Sequence, residues 1–468
     1  MIWLALLLGA SATTGGAALD RARGLAESGR ADAALEALAP MLSAGSAEAL
    51  ALAGLIHESS GQLLLARQRL EAALTAGELA DPGSAHLAIA RCHQGTGDTA
   101  GAMQHATAAV ASAGQDTARL DEALAMLLDV SVTEIGPAEA IALLSGALSP
   151  GDLPQAWGRL AEGYLDRGMA SAAPLPLQAA ISSDPHSPSA PGWQIRIADA
   201  ARLRGRADEE VAALEVLARD YTAATPWAEA QPEDVDVNAV AEHIEARIRE
   251  TILQLHQDTR LMPASAAASH QVEQLIRLVP VWLIRYPDHA AAGQIHSIYG
   301  EQLLRTGRFV AAHTQHMAAW DLTEDPQHLY AAGFVAERSF AQAAPPAATA
   351  PGPLTPEARA LLTTVDLYHH HFPATEAAHT LQLKAAAALM RLGRAREARA
   401  RLMPIIETAP ETPQAESAAR AVLNSYIAAS DWRGARAAAE AFSVSPGLSS
   451  PALRARLDEI LAETASLR

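Results

Sequence analysis

Seventeen histidines and one cysteine are the side chains here best suited to metal binding or nucleophilic chemistry. His369, His370 and His371 stand in a row. Neighbours on a helix point about 100° apart, so three consecutive rings do not converge on one ion. They precede Phe372-Pro373, where a helix would stop, and imidazoles there suit the negative end of a helix dipole. His313 and His316 have a spacing at which two rings could chelate, but no carboxylate follows at a third ligand spacing. Cys92 stands alone, which excludes an internal disulfide and a cysteine-based zinc site. We expect it to be a buried, inert thiol. The chain has no Gly-rich phosphate loop, no HExxH and no GxSxG. Pairs such as Glu411 with Glu416, or Asp431 with Glu440, are not set apart from ordinary surface charge. No catalytic, cofactor-binding or metal-binding residue is therefore expected.

Composition points the same way. Half of the 468 residues are hydrophobic, yet only 4% are aromatic. Alanine and leucine make up the excess and favour helix. Runs of β-branched and aromatic residues that would suggest strands are scarce. The formal net charge is −18, a balance that repels phosphate backbones, so nucleic acid is not an expected partner.

The elements that position these residues are helical pairs. Trp157, Leu160, Ala161 and Tyr164 share one face of a helix, Gly168 marks a turn, and Ala173, Leu177 and Ala180 continue the period to Pro185. This stretch resembles a tetratricopeptide repeat, a helix-turn-helix unit of about 34 residues. The frame recurs with turns at Gly29, Gly61, Gly97, Gly205, Gly307 and Gly393, and at Ser430-Asp431-Trp432. His316 falls on a bulky interior position of that frame. Glu210 departs from it, standing where alanine is expected. The resemblance implies an all-α fold, an α-solenoid wound as a right-handed superhelix, because one hairpin cannot bury its own apolar face.

Boundaries follow from where the frame lapses. Residues 2–10 form an apolar run that is too short for a stable span, followed by Ala10-Ser11-Ala12, a small-x-small pattern. We read 1–18 as a signal peptide, although no Lys or Arg precedes the run. An N-terminal repeat block covers 19–220. An irregular helical region with one repeat-like unit covers 221–343. In it, Asp234 is expected to cap a long helix with the apolar stripe Val237, Val240, Ile244, Ile248, Ile252 and Leu255. A Pro-rich, extended linker spans 344–356. The C-terminal block, 357–468, ends in a capping helix.

In the tetratricopeptide family the first helix of each repeat lines a concave groove. That resemblance places partner-binding positions at Arg23, Glu58, Arg91, Gln94, Glu162 and Asp166, and further along at Glu301, Arg305, Arg391, Arg420 and Asn424. The Lys- and Asn-rich clamp of chaperone-binding members is absent. The implied function is a non-enzymatic scaffold that holds proteins or peptides, periplasmic or otherwise exported. Bacterial envelope repeat proteins in outer-membrane assembly, cell-wall coordination or motility are the analogy. The alternatives are a cytoplasmic regulator of the same fold and a metal-dependent hydrolase in the irregular middle region.

Overall fold

The computed structural model describes residues 16–77, 79–113, 116–261, 266–343 and 351–465. These residues form twenty-four helices and no strand. The chain divides into two compact units between Arg247 and Ile248.

The first unit opens with hairpin α1 (Gly16–Glu27) and α2 (Ala31–Ser43), then α3 (Ala47–Ser59) and α4 (Leu63–Ala76), then α5 (Pro82–Gly95) and α6 (Thr99–Ala113). It continues through α7 (Thr117–Glu134), α8 (Pro137–Ala147), α9 (Leu153–Asp166), α10 (Pro174–Ser183), α11 (Ala190–Leu203) and α12 (Ala207–Asp220). A short α13 (Pro226–Glu229) leads into α14 (Val237–Leu261), which runs on past the division. The second unit adds α15 (Ala266–Arg285), α16 (Ala292–Arg305), α17 (Phe309–Thr323), α18 (Pro326–Ala343) and α19 (Pro356–His371). It closes with α20 (Glu376–Arg391), α21 (Ala395–Thr408), α22 (Pro413–Ala428), α23 (Trp432–Ser443) and α24 (Pro451–Glu463). Within each unit, sequential helices pack on one another, and several first helices also touch the first helix of the next hairpin. Each unit is an all-α, solenoid-like stack of tetratricopeptide-type hairpins.

The turns confirm the repeat frame. Gly29, Gly61, Gly97, Gly168, Gly205, Gly307 and Gly393 all take φ between 66° and 77°. At Gly168 the reason is visible in the backbone. Its N–H donates to Leu165 O at 2.9 Å, and Met169 N–H reaches back to Tyr164 O at 2.8 Å. That pair of bonds closes the first helix and needs a left-handed residue between its donors. Ser430 does the same work without being glycine, at φ 57°, with Asp431 N–H bonded to Tyr426 O at 2.9 Å.

Packing follows the small residues. Ala161, Ala173, Leu177 and Ala180 are fully enclosed. At Gly54 an added Cβ would lie 2.5 Å from Leu70 Cγ, so α3 and α4 approach closer than alanine permits. His316 is 2% exposed, as its frame position implies, and lies against Gly300, whose Cβ would meet its ring at 2.8 Å.

Three local expectations change. The cap of α14 is Asp236 and not Asp234. Its carboxylate accepts from Asn238 N at 3.1 Å and Ala239 N at 3.0 Å, because the turn from Pro232 O to Val235 N delays the helix start. Along α14, Ile244, Ile248, Ile252 and Leu255 are buried as expected, but Val237 and Val240 are only half-buried. The lapse of signal after Tyr221 is no lapse of packing. Tyr221 meets Trp227 edge-on at 5.9 Å, and Trp227 Nε1 donates to Ser187 O at 2.9 Å.

The apolar run and the small-x-small pattern lie outside the described residues, and 16–18 open α1. Among the described residues no helix is long and apolar enough to cross a membrane. Residues 344–350 of the Pro-rich segment also lie outside them. Its following residues are tied down: Gly352 N–H donates to Leu392 O at 2.9 Å, and Leu354 joins the apolar cluster that α18 and α19 share.

The two kinds of turn give opposite expectations. Gly168→Ala should lower stability by about 1 kcal/mol, the cost of a Cβ in a left-handed turn. Ser430→Gly should cause no loss. Urea denaturation midpoints check both, and loss on Ser430→Gly with none on Gly168→Ala would contradict the turn geometry.

Candidate binding groove

Four first-unit elements, α7, α9, α11 and the start of α14, border an open cavity of about 1050 Å³. Glycine sets the spacing of two of its walls. Gly158 on α9 stands where a Cβ would lie 2.5 Å from Trp193 Nε1 on α11. The Nε1 side of the indole can therefore come close to the α9 backbone, and Trp193, though buried, still lines the cavity. Gln155 Nε2 also donates to Ser189 Oγ across the same pair at 3.2 Å.

The lining is charged. Arg159, Arg196, Arg202 and Arg247 share it with Asp121, Glu162 and Asp199. Most of these charges are internally matched. Arg159 pairs with Asp121, and Arg202 with Asp199 at 3.4 Å. Arg247 donates to Asp199 at 3.1 Å and to Glu210 at 2.9 Å. This explains the departure at Glu210. The side chains of Arg247 and Glu210 are only 7% and 9% exposed, so the carboxylate is the counter-ion for an arginine arriving from α14. Burial pulls the Arg247 guanidinium down, but hydrogen bonds and charge from Glu210 and Asp199 outweigh it and hold it above its ordinary pKa.

Glu162 and Arg196 are different. Both are exposed, both line the cavity, and neither has an ion-pair partner among the described residues. An arginine free in an open trough offers a planar fork suited to a carboxylate.

The expected groove residues are only partly gathered here. Glu162 alone lines the cavity, and Asp166 lies exposed one turn along α9. Glu58 and Arg91 face each other: Arg91 Nη2 donates to Glu58 Oε2 at 3.2 Å and Arg91 Nη1 to Glu122 at 3.2 Å. They lace α3, α5 and α7 together. Gln94 is exposed at the end of α5. Arg23 pairs with Asp20 on its own helix at 3.2 Å. In the second unit, Arg305 donates to Thr259 O at 3.0 Å, and Glu301 lies 3.7 Å from His256. Arg420 pairs with Glu416. Arg391 and Asn424 are exposed.

The sequence reading missed Arg159, Trp193, Arg196, Asp199, Arg202 and His243 as cavity residues. A signal for Arg196 was present, since it follows Glu162 by one repeat length of about 34 residues. His243 had none, because α14 lies outside the repeat frame.

The other candidate groups are accounted for by packing. His313 Nε2 lies 2.9 Å from Thr364 Oγ1. Burial pulls His316 down to about 4, with His328 and His313 adding to the effect. His371 meets Trp320 edge-on at 5.3 Å. Burial, followed by the charge of Glu58, pushes the Cys92 thiol up to about 11, so it is protonated at neutral pH.

No family model matches the chain, and no curated protein matches it. Among solved structures it is similar to a tetratricopeptide repeat protein from Parabacteroides merdae. That likeness has 10% identity, covers 67% of this chain and 99% of the other, and has a TM-score of 0.22. The hairpin frame described above rests on this chain's own helices and turns.

The buried triad is testable by substitution. Glu210→Ala should cost about 3 kcal/mol, the low end for breaking a buried pair, because Asp199 still faces Arg247. Glu210→Ala combined with Arg247→Met should recover most of that loss in denaturant melts. A double variant no more stable than Glu210→Ala would contradict the pairing.

Proposed function

We propose that this chain is a non-catalytic scaffold that binds a peptide segment of another protein along the α7–α9–α11–α14 cavity. The observation that carries this reading is the open trough in which Arg196 and Glu162 remain unmatched while their neighbours are paired. A segment with a carboxylate opposite Arg196 and a basic group opposite Glu162 would complete the pattern. Hairpins that stack edge to edge produce long surfaces of this type. Export to the bacterial envelope is part of the proposal and is supported by the apolar run at 2–10 and the small residues after it.

The test is site-specific photo-crosslinking in the native cell. A photoreactive residue at Ala239, on the cavity wall, should capture a defined partner. The same residue at Gln178 on α10, outside the lining, should not. Arg196→Glu should reduce the Ala239 crosslink at least tenfold. Equal capture from both positions, or a yield indifferent to Arg196→Glu, would sink the cavity reading. Mass spectrometry of the photoreactive protein itself, isolated from the same cells, should show an N-terminus beyond Ala12. An intact Met1 in the soluble cytoplasm would favour the cytoplasmic regulator.

A further inference from the structure

Outside the cavity, three imidazoles and two carboxylates gather where α4, α5 and α6 meet. Glu71 is on α4, His86 and His93 on α5, and His105 on α6. One ligand atom from each of Glu71, His93 and His105 lies within 4.8 Å of the other two. We propose that these three residues bind a divalent metal ion of the zinc class, which fastens the α3/α4 hairpin to the α5/α6 hairpin.

The hydrogen bonds around the rings carry the argument. His93 Nδ1 lies 2.8 Å from Asp98 Oδ2. Asp98 Oδ1 also accepts from Gly101 N at 3.0 Å, which holds the carboxylate beside the ring as the acceptor for an Nδ1–H donor. His93 is thereby fixed as the tautomer with its lone pair on Nε2. His105 Nδ1 lies 3.0 Å from His86 Nδ1; with His105 as the donor of that bond, the free lone pair of His105 is on Nε2. A carboxylate or second imidazole orienting a ligating histidine through its other nitrogen is the usual outer support of a metal site.

The rings are also held in place. Gly101 makes room for His93, since a Cβ there would lie 2.3 Å from its Nδ1. His93 and His105 have ring centroids 5.5 Å apart.

The third ligand is the adjustable one. A tetrahedral ion with bonds of about 2.0–2.2 Å needs its ligand atoms roughly 3.3–3.5 Å apart. The Glu71 side chain is 48% exposed, and its ion-pair partner among the described residues is Arg67 at 3.6 Å. It can swing to close the remaining distance. Two histidines and one carboxylate leave a fourth position for water. Because the ligands come from adjacent hairpins, metal affinity would add directly to their docking.

The experiment uses the full chain without a histidine tag, stripped with chelator and titrated with Zn(II) calorimetrically and with Co(II) by visible absorption. The expected result is one equivalent bound, tetrahedral Co(II) bands, and a melting temperature raised by Zn(II). Glu71→Gln, at an exposed position that does not threaten folding, should weaken binding at least tenfold, as should His105→Gln. Asp98→Asn should weaken it about 10–100-fold, the usual effect of removing outer support. His370→Ala should change nothing. No stoichiometric uptake by the wild-type chain, or uptake unaffected by Glu71→Gln and His105→Gln, overturns the site. Loss on His370→Ala also overturns it.

Discussion

Close approach of helices at positions with little or no side chain is the constraint on which the rest of this structure depends. At Gly54, Gly158 and Gly163 the space a Cβ would need is already taken, by Leu70, Trp193 and Leu128 respectively. Buried alanines such as Ala161 and Ala180 continue the same seams. Dispersion falls off steeply with separation, so contact at this distance gathers many small attractions that a slightly wider gap would forfeit. Each hairpin finds those contacts on its neighbour, which is why the frame must repeat.

Charge plays a secondary part. Arg91 links Glu58 and Glu122 across three hairpins, and Arg167 reaches Asp129 at 2.7 Å. Partly exposed pairs of this kind contribute about 0–1 kcal/mol each. They fix which hairpin face meets which, while the apolar seams supply the stability. Other pairs, Arg159 with Asp121 and Arg202 and Arg247 with Asp199, neutralise much of the groove, where Arg196 and Glu162 have no ion-pair partner among the described residues. Fold and proposed function are thus connected through what the internal pairs do not use.

Much of the fold was legible because its turn chemistry is local. Seven glycines with left-handed φ fell where the repeat frame placed them, and Ser430 completed the set. The groove was less legible, because a family frame marks which helix face is inward and not which charges cancel. Glu58 and Arg91 are 33 residues apart, about one repeat length, which marks them as neighbours in the frame but does not say that their charges pair. Glu210 was visible as an irregularity, but its cause, Arg247, comes from a helix with no repeat register. The cluster of Glu71, His93 and His105 was invisible for a related reason. Its residues come from three helices, and no short spacing connects them.

The central claim is that hairpins are stabilised mainly by the neighbours they touch. Native-state hydrogen exchange on Ala180→Trp tests it most directly, since Ala180 is wholly enclosed. The account predicts lost protection in α9 to α12, with α1 to α4 exchanging as in the wild type. Unchanged protection throughout, or loss confined to helices remote from α10, would contradict it.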